Sequence, residues 1–428
     1  MLRLAWYGDD FTGAADTLAT LASAGLRSTL FLGAPTPDQL ARCGPLDAIG
    51  IAGTARALTS QAMRAELAPV AAFFAALAPP VTHYKCCSTF DSAPEVGNLA
   101  VGVAALRTPA HDPALPVLGG QPSLGRCCAF GTLFASAEAG GALHRIDRHP
   151  TMSRHPVTPM HEADLRRHLA TLGLPGAALL DIRALDQADD TALDAAWGHG
   201  PLLMDSTHPA HLARIGRLLW QRALQRPVLA LGASSVAQAL IAHWQALGEV
   251  PAVALPGTVP AAEGPVFLLV GSQSPVTAAQ VDTAAAAFDT VVLDMPALVD
   301  SDSALAAAAA QCADRLQAGR SVLARTGAPV AGGPGALAVA QAGGRLLAQV
   351  LQRAPQVRRA GVAGGDSASF ALRALGPWAL RWAGTLAPGV PLLEAISEQP
   401  AQQGLTLMLK GGQMGPRDIF LRLLHGTG

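Results

Sequence analysis

Charge is scarce in this sequence. Only 14% of its 428 residues are Asp, Glu, Lys or Arg, well below the roughly 25% of an average soluble domain. The two signs balance, with 30 Lys and Arg against 31 Asp and Glu. No basic surplus exists to neutralise a phosphate backbone, so no nucleic acid is expected as a partner. Long apolar runs are also missing. Hydrophobic residues reach 50%, yet no stretch approaches the roughly 18 consecutive apolar residues that a spanning helix needs, and no membrane partner is expected. The first ten residues contain Arg3, Asp9 and Asp10, which leaves no apolar core for an export signal. Cysteine is sparse and wrongly spaced for a cage. The six cysteines, at 43, 86, 87, 127, 128 and 312, form no CxxC, which excludes a zinc ribbon or disulfide framework and fits a reduced cytoplasm. Absent as well are GxxxxGK[ST], HExxH and GxSxG, and with them P-loop kinases, zincins and α/β-hydrolases.

What is present is alternation. The length suggests two or three domains, and the hydrophobic excess a tightly packed interior with apolar surface suited to a homodimer. Short apolar runs at residues 2–7, 28–32, 48–52 and 81–85 are separated by segments of helical period, such as Met63, Leu67, Val70, Phe74 and Leu77. This is the pattern of parallel βαβ units. Residues 8–16 read as a polar loop. The Pro- and Gly-rich stretches 108–122 and 146–159 read as long loops, with a helix expected to start at Pro159 behind a Thr158 cap. A strand at 228–231 and a helix at 235–246 follow. Residues 248–265, with four prolines and three glycines, are the expected linker. It divides the chain into 1–247 and 248–428, and strand-like runs resume at 266–270, 290–293 and 321–324. The expected fold is α/β: two α/β domains with mainly parallel sheets.

Ligands of open α/β sheets bind beyond the carboxyl ends of the strands. Of three polar clusters in the first half, two fall at such positions and the third lies in a loop. Gly8-Asp-Asp-Phe-Thr-Gly13 places Asp9, Asp10 and Thr12 after the first strand, where a carboxylate can orient a sugar hydroxyl or accept its proton. The same residues would serve equally to shape a turn and cap a helix. Lys85, Ser88, Asp91 and Ser92 follow the fourth run, a cation with hydroxyls and a further carboxylate, suited to a hydroxy acid. Arg154, His155 and Thr158 lie in a proline-stiffened loop suited to gripping an anion. No histidine spacing resembles a metal site. The second half offers three glycine and hydroxyl turns after apolar runs: Ser272 and Ser274, then Gly364, Gly365, Asp366 and Ser367, then Gly411, Gly412 and Gln413. Such turns aim backbone N–H groups at phosphate. Gly333–Ala338 matches a GxGxxA dinucleotide pattern but has proline in its turn and no strand directly before it.

Taken in order, Gly8–Ala14, Lys85–Ser92 with Gly97 and Asn98, His155–Met160, Gly271–Thr277, Gly364–Ser367 and Lys410–Gln413 resemble the motifs of the four-carbon acid sugar kinases. The resemblance spans nearly the whole chain. It implies a sugar-acid domain followed by an ATP domain, with the active site in the interdomain cleft. ATP, with Mg²⁺ carried on its oxygens, would phosphorylate the terminal hydroxyl of threonate, erythronate or 3-oxo-tetronate. Asp10, with Asp9 beside it, would face that hydroxyl, and the three C-terminal turns would hold the nucleotide. An ATP-using enzyme acting on another hydroxy acid, and a sensor retaining both pockets, are the competing readings.

Overall fold

The computed structural model describes residues 1–137, 141–155, 157–253, 257–327 and 332–427. The chain forms two compact units, Met1–Leu255 and Pro256–Gly428.

The central strands of the first unit are buried on both faces, as strands covered on two sides by helices must be, and several of its other strands are more exposed. In chain order the strands are β1 (Leu4–Gly8), β2 (Ser28–Phe31), β3 (Ala48–Ala52), β4 (Val81–Lys85), β5 (Ala114–Leu118), β6 (Gly120–Gln121), β7 (Arg126–Ala129), β8 (Thr132–Ser136), β9 (Leu143–Arg145), β10 (Ala178–Leu180), β11 (Gly200–Met204) and β12 (Val228–Gly232). The order β10-β11-β5-β12-β4-β1-β3-β2 is parallel throughout. β1 thus lies between β3 and β4, and the loops after these three strands share one edge. A separate antiparallel sheet, β6-β7-β8-β9, stands beyond β5.

The second unit contains β13 (Val266–Val270), β14 (Asp289–Leu293), β15 (Val322–Thr326), β16 (Arg359–Ala363), β17 (Ala379–Ala387), β18 (Val390–Ile396) and β19 (Thr406–Lys410). β19, β16, β13, β15 and β14 are parallel neighbours, and the β17–β18 hairpin adds antiparallel strands beside β19. No helix among the described residues is long and apolar enough to cross a membrane.

Three local expectations change. The loop after β1 is short, because the Asp10 side chain caps a helix over Phe11–Ser23 by accepting from Gly13 N, so Thr12 and Asp16 are helical. The stretch 108–122 is not all loop: β5 runs through it despite Pro116. Its ladder to β12 begins at Val117, past the proline, so the missing donor falls outside those rungs. No helix begins at Pro159. The Thr158 hydroxyl pairs back to His155 Nδ1 at 3.1 Å, Met160 N donates to Met152 O, and the helix waits for Asp164, which caps Leu165–Thr171.

Candidate functional site

A buried cluster of charge in the first unit lies at the carboxyl ends of β1, β3 and β4. Asp9 follows β1 directly and its side chain is only 2% exposed. Asp10, 14% exposed, accepts from Thr12 Oγ1 at 2.7 Å and from Gly13 N at 3.1 Å. Capping needs no more than that, yet two cations also converge on it. Lys85 Nζ, from the end of β4, lies 3.3 Å from Asp10 Oδ1. The guanidinium of Arg56 reaches Asp10 at 3.1 Å and Asp9 at 3.2 Å through one nitrogen. Gly13 makes the approach of Lys85 possible: a Cβ there would stand 1.6 Å from Nζ.

This geometry separates the two carboxyls. Burial disfavours both anions. At Asp10 the Arg56 and Lys85 charges, with the Thr12 hydroxyl, outweigh burial and hold the carboxyl well below its usual range. At Asp9 burial prevails over the same cations, aided by the negative charges of Asp10 and Asp91, and lifts the carboxyl to about 6. Burial also opposes the charge on Lys85, but Asp10 and Asp9 keep its ammonium above the ordinary value. The cluster is therefore an ionised, partly exposed Asp10, a buried and more proton-avid Asp9 beside it, and two fixed cations.

Arg56 was not among the residues singled out from sequence. A signal existed, since it stands in the 3₁₀ turn Ala55–Ala57 just beyond β3, where the strand-end rule applies. Its turn is held by Glu66, which accepts from Thr54 N at 2.7 Å, from the Thr54 hydroxyl at 2.8 Å and from the Tyr7 hydroxyl.

Of the other expected residues, Ser88, Asp91 and Ser92 are buried in the loop after β4. Asp91 accepts from Thr89 Oγ1 at 2.5 Å, and its charge acts on Asp9 and Arg56. Ser92 Oγ pairs with Phe90 O and His168 Nε2, bonds that shape the loop. Phe90 has φ 55°, the left-handed region, in the middle of this loop. Arg154 is exposed, while His155 and Thr158 bond to each other. Among the described residues no hydrogen bond or ion pair joins these three to Asp9, Asp10 or Lys85.

The second unit brings its three turns together at the ends of β13, β16 and β19. Ser274 caps the helix Pro275–Ala284 by accepting from Thr277 N, and donates its hydroxyl to Gly412 O at 2.5 Å. Thr277 Oγ1 donates to the same carbonyl at 2.9 Å. Ser272 N pairs with Ala363 O, and Gly364 N with Lys410 O. Gly364 has φ 127°, and a Cβ on it would meet Ser272 N and Ser367 Oγ at 3.2 Å. It precedes the helix Gly365–Leu375, whose N-terminus has no side-chain cap. A Cβ on Gly365 meets nothing within 4 Å, and Asp366 is exposed beside it. The first N–H groups of this helix are thus open to an anion. Ser272, Gly411, Gly412 and Gln413 are each partly exposed around them.

Two residues outside the expected binding set fasten these turns: Lys410, which heads the third motif, and Gln280, which the sequence did not single out. Lys410, fully buried, donates from Nζ to Thr277 Oγ1 at 3.1 Å and to Gly411 O at 3.0 Å, and burial pushes its ammonium down to about 7. The Gln280 amide donates to the carbonyls of Met414, Gly415 and Pro416. The Gly333–Ala338 segment enters the helix Ala336–Arg353 from exposed glycines, and residues 328–331 before it lie outside the described residues.

One group of three among the described residues has metal-ligand spacing: Asp186, His208 and His211. His211 Nδ1 accepts from Thr207 N at 3.2 Å, so its hydrogen is on Nε2, directed at Asp186 Oδ1 2.9 Å away. The nitrogen a metal would need is already protonated, and the group is a histidine–aspartate pair.

Comparison with known proteins covers both units. Residues 4–240 match the model of a sugar-binding N-terminal domain and residues 267–420 that of a nucleotide-binding C-terminal domain. The chain is 39% identical to a 3-oxo-isoapionate kinase of Paraburkholderia graminis, over 99% of this chain and 94% of that protein. It is 30% identical to a 3-oxo-tetronate kinase of Cupriavidus necator (98% and 96% covered) and 29% identical to one of Methylobacterium radiotolerans (99% and 99%). In fold it is similar to a Salmonella typhimurium protein provisionally described as a tRNA synthase, at TM-score 0.79 and 23% identity over 99% and 98% of the two chains. It is also similar to a Haemophilus influenzae protein of a family once defined only as a domain of unknown function, at TM-score 0.71 and 21% identity over 98% of each chain.

Proposed function

Since the chain belongs to the four-carbon acid sugar kinase family, and is a carbohydrate-acid kinase, we propose that it transfers the terminal phosphate of ATP to a primary hydroxyl of a small 3-oxo sugar acid. The relatives named above favour 3-oxo-isoapionate and 3-oxo-tetronate as the first acids to test, with threonate and erythronate behind them.

The observation that carries this reading is the Asp10 carboxylate held between Arg56 and Lys85. Phosphoryl transfer asks the protein chiefly for positioning and for neutralisation of charge. Asp10, ionised at neutral pH and partly exposed, accepts a hydrogen bond from the attacking hydroxyl and aligns it. Asp9 is its buried companion, with more affinity for a proton. Arg56 keeps the pair from repelling, and Lys85 supplies a positive charge at the point where a phosphoryl oxygen would approach. Ser88, Asp91 and Thr12 contribute to the acid-sugar side. Ser272, Ser274, Gly364–Ser367 and Gly411–Gln413 would receive the nucleotide phosphates through backbone N–H groups and hydroxyls.

The three nucleotide turns contain a single carboxylate, the exposed Asp366. A hard oxygen donor suits Mg²⁺, and so small a donor set fits an ion that keeps waters and rides on the nucleotide. When bound, the ion neutralises developing charge on the phosphate oxygens.

The deciding experiment is ATP consumption with Mg²⁺ against a panel of 3-oxo-isoapionate, 3-oxo-tetronate and the stereoisomers of threonate and erythronate, with ³¹P NMR of the product. A hydroxylamine-stable phosphate monoester from one acid is expected. An acyl phosphate, labile to hydroxylamine, or no turnover across the panel, overturns the proposal.

A further inference from the structure

Arg126 is a charge in the wrong place for a structural arginine. It opens β7, directly opposite Gln121 of β6 in the antiparallel ladder, so the two side chains leave the same face of the hairpin. The Gln121 amide donates to Asp16 Oδ2 at 3.1 Å, and Asp16 lies one turn after Thr12 on the helix that Asp10 caps. The hairpin therefore sets Arg126 beside the first turns of that helix. The Asp16 charge acts on its guanidinium, the neutral Cys87 thiol of the loop after β4 lies near it, and Arg126 in turn acts on His149 of the His-Pro loop. Arg126 stands where the helix, the loop after β4 and the His-Pro loop meet.

Its bonding is incomplete. Nη1 donates to Leu124 O at 2.5 Å. Nε is buried and has no hydrogen-bond partner, and among the described residues no carboxylate lies within ion-pair distance. Burial pulls the guanidinium below its ordinary value because nothing nearby compensates it fully. A buried charge left this way is costly unless a ligand completes it. The Nε and Nη2 edge of a guanidinium is the edge that grips a carboxylate with two parallel bonds. The Asp10 cluster, by contrast, has already neutralised its own cations with its own anions.

We propose that Arg126 binds the carboxylate of the sugar acid, so that the acid group docks on the β6–β7 hairpin while the hydroxyl end reaches Asp10. This rests on the kinase reading above and divides the substrate between two places: charge recognition at Arg126 and hydroxyl alignment at Asp10. It also gives the antiparallel sheet a purpose, that of selecting acids over neutral sugars.

The test uses the full chain, its Arg126→Gln and Arg126→Lys variants, and two probes: the acid, 3-oxo-isoapionate or 3-oxo-tetronate, whichever the wild type phosphorylates faster, and its carboxamide, which keeps the hydroxyls and loses the charge. Arg126→Gln is expected to raise KM for the acid about 100-fold with kcat and the KM for ATP nearly unchanged, and Arg126→Lys to recover part of the loss. The carboxamide should bind wild type and Arg126→Gln equally weakly. A purely structural role would lower kcat and shift acid and carboxamide alike, and that result overturns the proposal. Should no acid of the full panel, threonate and erythronate included, be phosphorylated, the kinase reading fails by itself. Calorimetric binding of the same acids to wild type and Arg126→Gln then decides the carboxylate site separately, with equal affinities counting against it.

Discussion

On the proposed function the two units answer the same problem, holding an anionic ligand at the ends of three adjacent parallel strands, with opposite materials. The first uses side chains: Asp9, Asp10, Arg56 and Lys85, nearly every charge matched by another. The second uses backbone: glycine turns, an uncapped helix N-terminus, and hydroxyls spent on fastening one turn to the next. A sugar acid offers hydroxyls in a fixed stereochemistry, which directional side chains can distinguish. A polyphosphate offers charge spread over many oxygens, which a cradle of N–H groups meets at close range. The difference teaches that the strand-end rule locates a site, whereas the kind of donor at the strand end tells what it holds.

The comparison breaks most visibly at Asp10. Asp10→Asn is expected to lower kcat by about 10²-fold or more while nucleotide affinity survives, measured by steady-state kinetics and by calorimetric titration of ATP. Unchanged turnover would remove Asp10 from the reaction. A smaller effect is expected at Gly13→Ala. The new Cβ needs the space of Lys85 Nζ and would stand 2.4 Å from Asp10 Oδ1, and both are side-chain ends that can move, so the fold should hold. Displacing that charge should cost about 10- to 100-fold in kcat/KM for the acid and leave the KM for ATP alone. Loss on the nucleotide side instead would mean the units are not specialised as described.

Gly365→Val sharpens the same contrast from the other unit. Because a Cβ there meets no protein atom within 4 Å, thermal stability should hold while the KM for ATP rises about tenfold, a branched side chain standing where phosphate would approach. An unaltered KM for ATP would place the phosphates elsewhere.

The smallest effects are those of pH. With Asp9 lifted to about 6, kcat/KM should rise through an apparent pKa near 6 as the pair becomes fully ionised, and Asp9→Asn should abolish that limb. The stability contributed by protonated Asp9 runs the other way: it is complete below the ordinary carboxyl value and lost as pH rises through about 6. In the second unit, Lys410 is pushed down to about 7 from 10.5. Between those values the unfolded chain holds a proton that the folded chain does not, so stability rises with pH. Lys410→Met should flatten that part of a melting-temperature profile; an unaltered slope would show that Lys410 stays charged when buried.

Much of this was legible beforehand. β4, β13, β16 and the helix Ser235–Ala246 fall where apolar runs and helical period put them, because buried parallel strands and amphipathic helices carry strong local patterns. The Asp9–Asp10 pair and the three glycine turns were also visible, since each directly follows such a strand. β5 was hidden by its proline, and the β6–β9 sheet by short strands that lack a pattern of their own. Thr158 looked like a cap because nothing local shows that its hydroxyl turns back to His155.

The sequence by itself determined the α/β class, the residue types at the strand ends and the family, because these depend on patterns that are local or fixed in order. Only the tertiary structure decided which charges meet. Arg56 is 46 residues from Asp10 and Lys85 is 75, and Lys410 is 133 residues from the threonine it holds. Coulomb and hydrogen-bond energies depend on separation in space, and separation along the chain carries no record of it.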